Sequence, residues 1–103
     1  MASLLRETVQ GSRTHPGEVL KEDFLVPLGL SANALARAID VQPNRITGII
    51  NGVRGVTADT ALRLARYFGG DPDWWMRLQA QYDLAQAQKE LSQKLDAITP
   101  RAA

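Results

Sequence analysis

The chain contains no cysteine and a single histidine, His15. Without thiols there is no disulfide, no thiolate nucleophile and no thiolate metal site. There is also no glycine-rich phosphate loop of the GxxxxGK[ST] type. One histidine beside a proline reads as a helix cap or a surface residue rather than a catalytic group. Asp71 and Asp73 flank Pro72, where capping and dipole compensation account for both carboxylates. We therefore expect no enzyme, no metal site and no cofactor or small-molecule substrate. No apolar run approaches the roughly 20 residues of a membrane helix. The opening MASLLRETVQ lacks the charged, apolar and cleavage regions of a signal peptide. A cytoplasmic protein with no membrane contact is the expectation. Charge of one sign is also scarce, because the net charge is only +1.

What is present is an ordinary globular composition, 45% apolar and 22% charged, in 103 residues. That is one domain, of a size that often gains stability by dimerising. The charge is unevenly placed. Leu30 to Phe68 carries Arg37, Arg45, Arg54, Arg63 and Arg66 against Asp40 and Asp59, a local +3. Gly69 to Asp96 is a local −2.

Helix punctuation divides the chain. Pro16-Gly17 opens a first helix with Val19, Leu20, Phe24 and Leu25 at helical spacing, and Pro27 and Gly29 are expected to end it. Ser31 caps a second helix, with Leu35, Ala36 and Ile39 inward. Asp40-Val41 turns the chain, Pro43 starts a third helix and Asn51-Gly52 ends it. Thr57 caps a fourth, whose expected buried stripe is Ala61, Leu62, Ala65 and Phe68. Gly69-Gly70 stops it, and Asp71-Pro72 opens a fifth running to about Leu91. No segment alternates as a strand does. The prediction is an all-α fold of five helices. Residues 1–14 form an N-terminal extension, 15–91 the domain and 92–103 a frayed tail. The second and third helices, about 31–51, form a helix-turn-helix, and 72–91 a long C-terminal helix.

The third helix has two faces. Ile46, Ile49 and Ile50 point inward, while Asn44, Arg45, Thr47, Gly48 and Asn51 point away. Two readings fit those residues: a helical hairpin with a solvated polar face, or a helix laid into a DNA major groove. In the groove Asn suits adenine, Arg suits guanine, the Thr methyl suits thymine, and glycine permits close approach. The fifth helix carries two apolar stripes, Trp74, Trp75, Leu78, Tyr82 and Ala85, and Leu84, Ala87, Leu91 and Leu95. Trp75, Leu78, Tyr82, Leu84 and Leu91 are candidates for a homodimer interface.

The run LSANALARAIDVQPNRITGIINGVRGVTADTALRLARYFG resembles the Xre/Cro-like helix-turn-helix family of phage and plasmid repressors. The flanks HPGEVLKEDFLVPLGLS and DPDWWMRLQAQYDLAQA are similar to the start and end of HigA-type antitoxins, formerly grouped with virulence-associated protein I. Together these stretches cover nearly all of residues 15–88. The resemblance implies a lambda-repressor-like domain and a homodimeric antitoxin. Such an antitoxin represses its own operon at an operator and neutralises a HigB-type mRNA interferase toxin. By position, Gln42, Pro43, Asn44, Arg45, Thr47 and Gly48 fall to base reading. Ser31, Asn33, Asn51 and Arg54 fall to phosphate contact. Ala32 stands where many Xre-like domains have glutamine, and Asn33 follows as its substitute. The alternatives are a stand-alone phage-type repressor and a protein-interaction module whose DNA binding is lost.

Overall fold

A computed structural model describes residues 14–102. Among these there are five helices and no strand. Helix α1 is one continuous rod of three stretches, Pro16–Val19, a wider π stretch at Leu20–Leu25, and Val26–Leu28. Helix α2 is Ala32–Ala38, α3 Pro43–Ile50, α4 Ala58–Phe68 and α5 Pro72–Asp96. Residues 1–13 of the expected N-terminal extension lie outside the described residues.

Three of the caps expected from sequence form as side-chain hydrogen bonds. The Ser31 hydroxyl accepts from the Ala34 amide at 3.0 Å, Thr57 from Thr60 at 3.4 Å and Asp71 from Asp73 at 2.9 Å. His15 does the same for α1, its Nδ1 accepting from Gly17 at 2.9 Å. Three helices end in one way, on a left-handed residue. Gly29 (φ 61°) closes α1, Asp40 (φ 60°) follows α2 and Gly52 (φ 75°) follows α3. In each case the next residue's amide reaches back five residues, as Leu30 to Leu25, Val41 to Ala36 and Val53 to Gly48, all at 2.9 Å. This pairing satisfies carbonyls that a bare helix end would leave open. Asp40 is the non-glycine case, and aspartate tolerates that conformation better than most side chains.

Three expectations need correction. Pro27 does not break α1, and only Gly29 ends it. A proline ring normally collides with the carbonyl four residues back. Here the π stretch shifts the register, with the Val26 amide donating to Lys21, and the widened turn admits the ring. Leu62 is not part of the α4 stripe. It is 60% exposed, and Leu64 takes the buried place. From Ala61 the inward positions fall three and four residues on, at Leu64 and Ala65. The tail expected to fray from Ser92 is helical to Asp96, since no breaker occurs before Thr99-Pro100.

The core joins Val19, Leu20 and Leu25 of α1 with Leu35 and Ala36, Ile46 and Ile49, Ala61 and Leu64, and Trp75 and Leu78. Phe24 sits among three rings, 4.8 Å from Phe68, 5.2 Å from Trp75 and 6.1 Å from Trp74. This aromatic group fastens α1, α4 and α5 together, and such contacts add to simple area burial. Helix α5 extends about 37 Å at 1.5 Å per residue. Only its first half packs on the core, which leaves the molecule elongated at 52 × 33 × 24 Å.

At its start α1 meets α3 backbone to backbone. A β-carbon on Gly17 would lie 2.6 Å from the carbonyl carbon of Ile49 and overlap its oxygen. Gly17 is therefore required for close approach. Replacing Gly17 with alanine should lower stability by about 1–3 kcal/mol or more, the usual cost of overpacking. Denaturant unfolding with an unchanged midpoint would show that the helices can part at no cost.

His15 packs edge-on against Tyr82 of α5, with ring centroids 4.8 Å apart. Burial lowers its affinity for protons below the ordinary 6.5, against the opposing pull of Asp83 and Glu18. Protonation would also remove the lone pair that accepts from Gly17. In the window between the ordinary and the lowered value the unfolded chain binds more protons than the folded one, so stability rises with pH there. The contribution is complete above about pH 6.5 and is lost as pH falls through the lowered folded value. A His15→Asn variant keeps a capping acceptor without a titrating ring. Its melting temperature should fall less than wild type between pH 7.5 and 5, and equal falls would assign the pH dependence to other groups.

Candidate nucleic-acid interface

Helices α2 and α3 pack against one another across the turn at Ile39 and Asp40. Ile46 and Ile49 are buried and Ile50 half-buried. At 100° per residue, this places Asn44, Gly48 and Asn51 at the middle of the opposite face, with Thr47 on one flank and Arg45 on the other. Asn44, Thr47 and Asn51 are exposed, as are Gln42 and Pro43 at the helix entry. The Thr47 hydroxyl turns back toward the Pro43 carbonyl at 3.4 Å. Ser31 and Asn33 are exposed at the start of α2, and Arg54 is exposed in the loop after α3. The structure thus gathers the four phosphate candidates and four of the six base-reading candidates on exposed positions.

Arg45 and Gly48 are placed differently. Arg45 reaches sideways to α4, where Nη1 donates to Asp59 at 2.7 Å. The same Asp59 oxygen accepts from Nε of Arg63 at 2.7 Å. Nη1 of Arg63 continues to the carbonyls of Ile39 at 2.7 Å and Asp40 at 3.2 Å. One carboxylate and one guanidinium therefore join α3, α4 and the turn between α2 and α3. The hydrogen bonds from Arg63, and then from Arg45, hold the Asp59 carboxyl below its ordinary range. The pair is solvent-exposed, so its strength is limited and falls with salt. Two of the five arginines that make the middle of the chain basic are already engaged inside the protein. Among the described residues no ion pair involves Arg37, Arg54 or Arg66.

Gly48 does not leave open space. The Arg54 side chain lies across it, its Cβ 3.3 Å and its Cδ and Nε 3.6 Å from where a Gly48 β-carbon would sit. The backbone repeats the link, because the amides of Val53 and Arg54 donate to the Gly48 carbonyl at 2.9 and 3.1 Å. From the other side Gln79 of α5 holds the same loop. Its Oε1 accepts from the Val56 amide at 2.7 Å and its Nε2 donates to Asp83 at 2.9 Å. Gly55 gives the amide of Gln79 its room, since a β-carbon there would meet it at 2.9 Å.

Sequence reasoning missed Asp59, Arg63, Gln79 and Gly17 as positioning residues. The Asp59–Arg63 spacing of four was a visible helical pair. Nothing in the order of residues linked either to Arg45, or Gln79 to Val56. The dimer candidates also divide. Trp75 and Leu78, 2% and 5% exposed, belong to the core and have no surface to give a second copy. Tyr82 is half-buried against His15. Leu84 and Leu91 are exposed on the opposite face of α5.

Residues 20–75 match the helix-turn-helix family model. The chain belongs to this helix-turn-helix family, with HigA antitoxins among its structural neighbours. Virulence-associated protein I of Dichelobacter nodosus is 54% identical over 86 residues, spanning 84% of this chain and 79% of that protein. Antitoxin HigA-1 of Vibrio cholerae is 36% identical over 85 residues, 82% of this chain and 79% of the other. The solved structure of Pseudomonas aeruginosa antitoxin HigA with the higBA promoter superposes with a TM-score of 0.85. It is 38% identical over 87% of this chain and 99% of that one. Among the described residues no helix is long and apolar enough to cross a membrane, and no cluster of ligands suits a metal ion.

The Gln79 clamp makes a local prediction within this HigA-type fold. Gln79→Ala should cost about 1 kcal/mol for the lost hydrogen bond and speed hydrogen exchange at the Val56 amide relative to the α4 core. Equal protection of Val56 in both proteins would mean that the loop is held without Gln79.

Proposed function

We propose that this protein is a homodimeric antitoxin that binds an operator in its own promoter, represses its operon and neutralises a HigB-type mRNA interferase toxin. It acts by binding, with no enzymatic step, in the cytoplasm where its DNA lies. The observation that carries the reading is the exposed face of α3. Asn44, Thr47 and Asn51 stand together with Arg54 alongside, on a fold shared with an antitoxin solved on its promoter. A hairpin with a merely solvated face would not need Arg45 tied to Asp59, or the following loop clamped by Gln79. Both devices fix the direction in which that face points, and a readout surface must be fixed in direction.

Ser31, Asn33 and Asn51 are the groups for the phosphate backbone on either side of the inserted helix. Contacts of this kind set register without sequence information. Arg45 supports α3 through Asp59 rather than standing free for a base edge.

The second copy is assigned to the outer stripe of α5. Leu84, 69% exposed, is followed by Ala87, Leu91 and Leu95 on the face opposite Trp75 and Leu78. The second half of this helix has no core beneath it, and an isolated stretch of that length is marginal in water. A partner helix covers the stripe and removes it from water. A two-fold dimer on operator DNA sets its recognition helices about 34 Å apart, one turn of the duplex.

Leu84→Glu/Leu91→Glu should convert a dimer into a folded monomer by light scattering at micromolar concentration. It should also weaken a gel shift on the protein's own upstream DNA by more than about tenfold, because paired half-site contacts are lost. A wild-type protein that scatters as a monomer would sink the dimer, and a wild-type protein that shifts no upstream duplex would sink repression.

A further inference from the structure

Position 48 lies at the centre of the exposed face of α3, one turn beyond Asn44 and between Thr47 and Asn51. In a helix that reads bases this is where a reading side chain belongs, yet the residue is glycine. The vacancy is filled from elsewhere. Arg54 leaves the loop beyond α3 and crosses Gly48 within van der Waals distance, which brings its Nε to 3.6 Å from where a Gly48 β-carbon would sit.

We infer that Arg54 stands in for the side chain missing at Gly48 and reads a guanine edge in the major groove, rather than serving only as a phosphate contact. This rests on the operator-binding reading above. Three observations carry it. The stem of Arg54 is confined, lying against Gly48 from Cβ to Nε. Its backbone is pinned at both ends, by the Gly48 carbonyl on one side and the Gln79-held Val56 on the other. Its guanidinium is not spent in an ion pair among the described residues, whereas Arg45 and Arg63 are. An unengaged guanidinium on a confined stem is the group that pairs with guanine O6 and N7 through two parallel hydrogen bonds. A phosphate contact does not require such confinement, since the mobile point charge of a lysine also makes one. Gly48 is a positioning residue in this scheme. A methyl there would press on the Arg54 stem at 3.3 Å and displace it.

The test is selection from a random-sequence duplex library with the full chain, as wild type, Arg54→Ala and Gly48→Ala, each first shown by melting to be folded. The wild type should enrich a site with a G·C pair in each half. Arg54→Ala should keep the rest of the site but lose that one preference. On the wild-type site it should bind about 5- to 150-fold more weakly, the range of one bidentate base contact. On a duplex changed at that pair it should bind as well as wild type does. Gly48→Ala should relax the same pair, and the double variant should be no worse than Arg54→Ala alone. If Arg54→Ala weakens all duplexes alike and lowers the salt slope by about one while its selected site is unchanged, Arg54 is a phosphate contact and the inference fails. If wild type enriches no site, the operator-binding reading itself fails, a result separate from either outcome for Arg54.

Discussion

Helix α3 is eight residues long, too short to remain helical in water by itself. Every group it presents outward depends on the burial of Ile46 and Ile49 on its inner side. That burial in turn requires α1 to come down on the backbone of Ile49 with nothing but Gly17 between. The contact fixes how deeply α3 sits. Its tilt is fixed laterally by Arg45 to Asp59, and its exit by the loop that Gln79 holds. Four neighbouring segments thus converge on one short helix, and the polar face is what remains uncovered.

The electrostatics follow from this arrangement. Asp59 is the one acidic group amid the basic stretch of α3 and α4, and it accepts from two of the arginines. What looked like a surplus of positive charge is partly an internal tie. A protein of net charge +1 exerts little long-range pull on DNA. Recognition by such a surface rests on a few groups held in place, and the tie through Asp59 and Arg63 is one of the devices that hold them.

Helix α5 serves two sides at once. Trp75 and Leu78 close the core beside Phe24, and half a turn away Leu84, Leu91 and Leu95 face solvent. The same rod also carries Gln79 and Asp83 toward the loop that supports Arg54, and Tyr82 toward the His15 cap. Association through its outer face would therefore be rigidly connected to the position of the recognition surface.

Local chemistry was legible in the residue order because caps and breakers act within a few residues. Ser31, Thr57 and Asp71 cap as expected, and Gly29 and Gly52 end helices in the left-handed conformation. The inward isoleucines of α3 were legible for the same reason, their spacing being the helix period. Leu62 was misplaced because an alanine-rich stripe gives little contrast to decide the phase of α4. Pro27 was misread because the π register that admits it is a property of the whole of α1 in its packed state. The two stripes of α5 were both visible, but their order could not say which one met the core.

By itself the sequence determined five helices, their boundaries to within a turn except at the end of α5, and the two-faced character of α3, since all of these follow from interactions between residues at most four or five apart. Only the tertiary structure decided what the outward residues do. Arg45 is drawn aside by a carboxylate 14 positions away, the loop bearing Arg54 is held by an amide 23 positions from its contact, and Gly48 and Gly17 are small because a side chain and a helix backbone lie on them. Contacts between distant segments exist only once the core has brought α1, α3, α4 and α5 together, and no spacing along the chain encodes them.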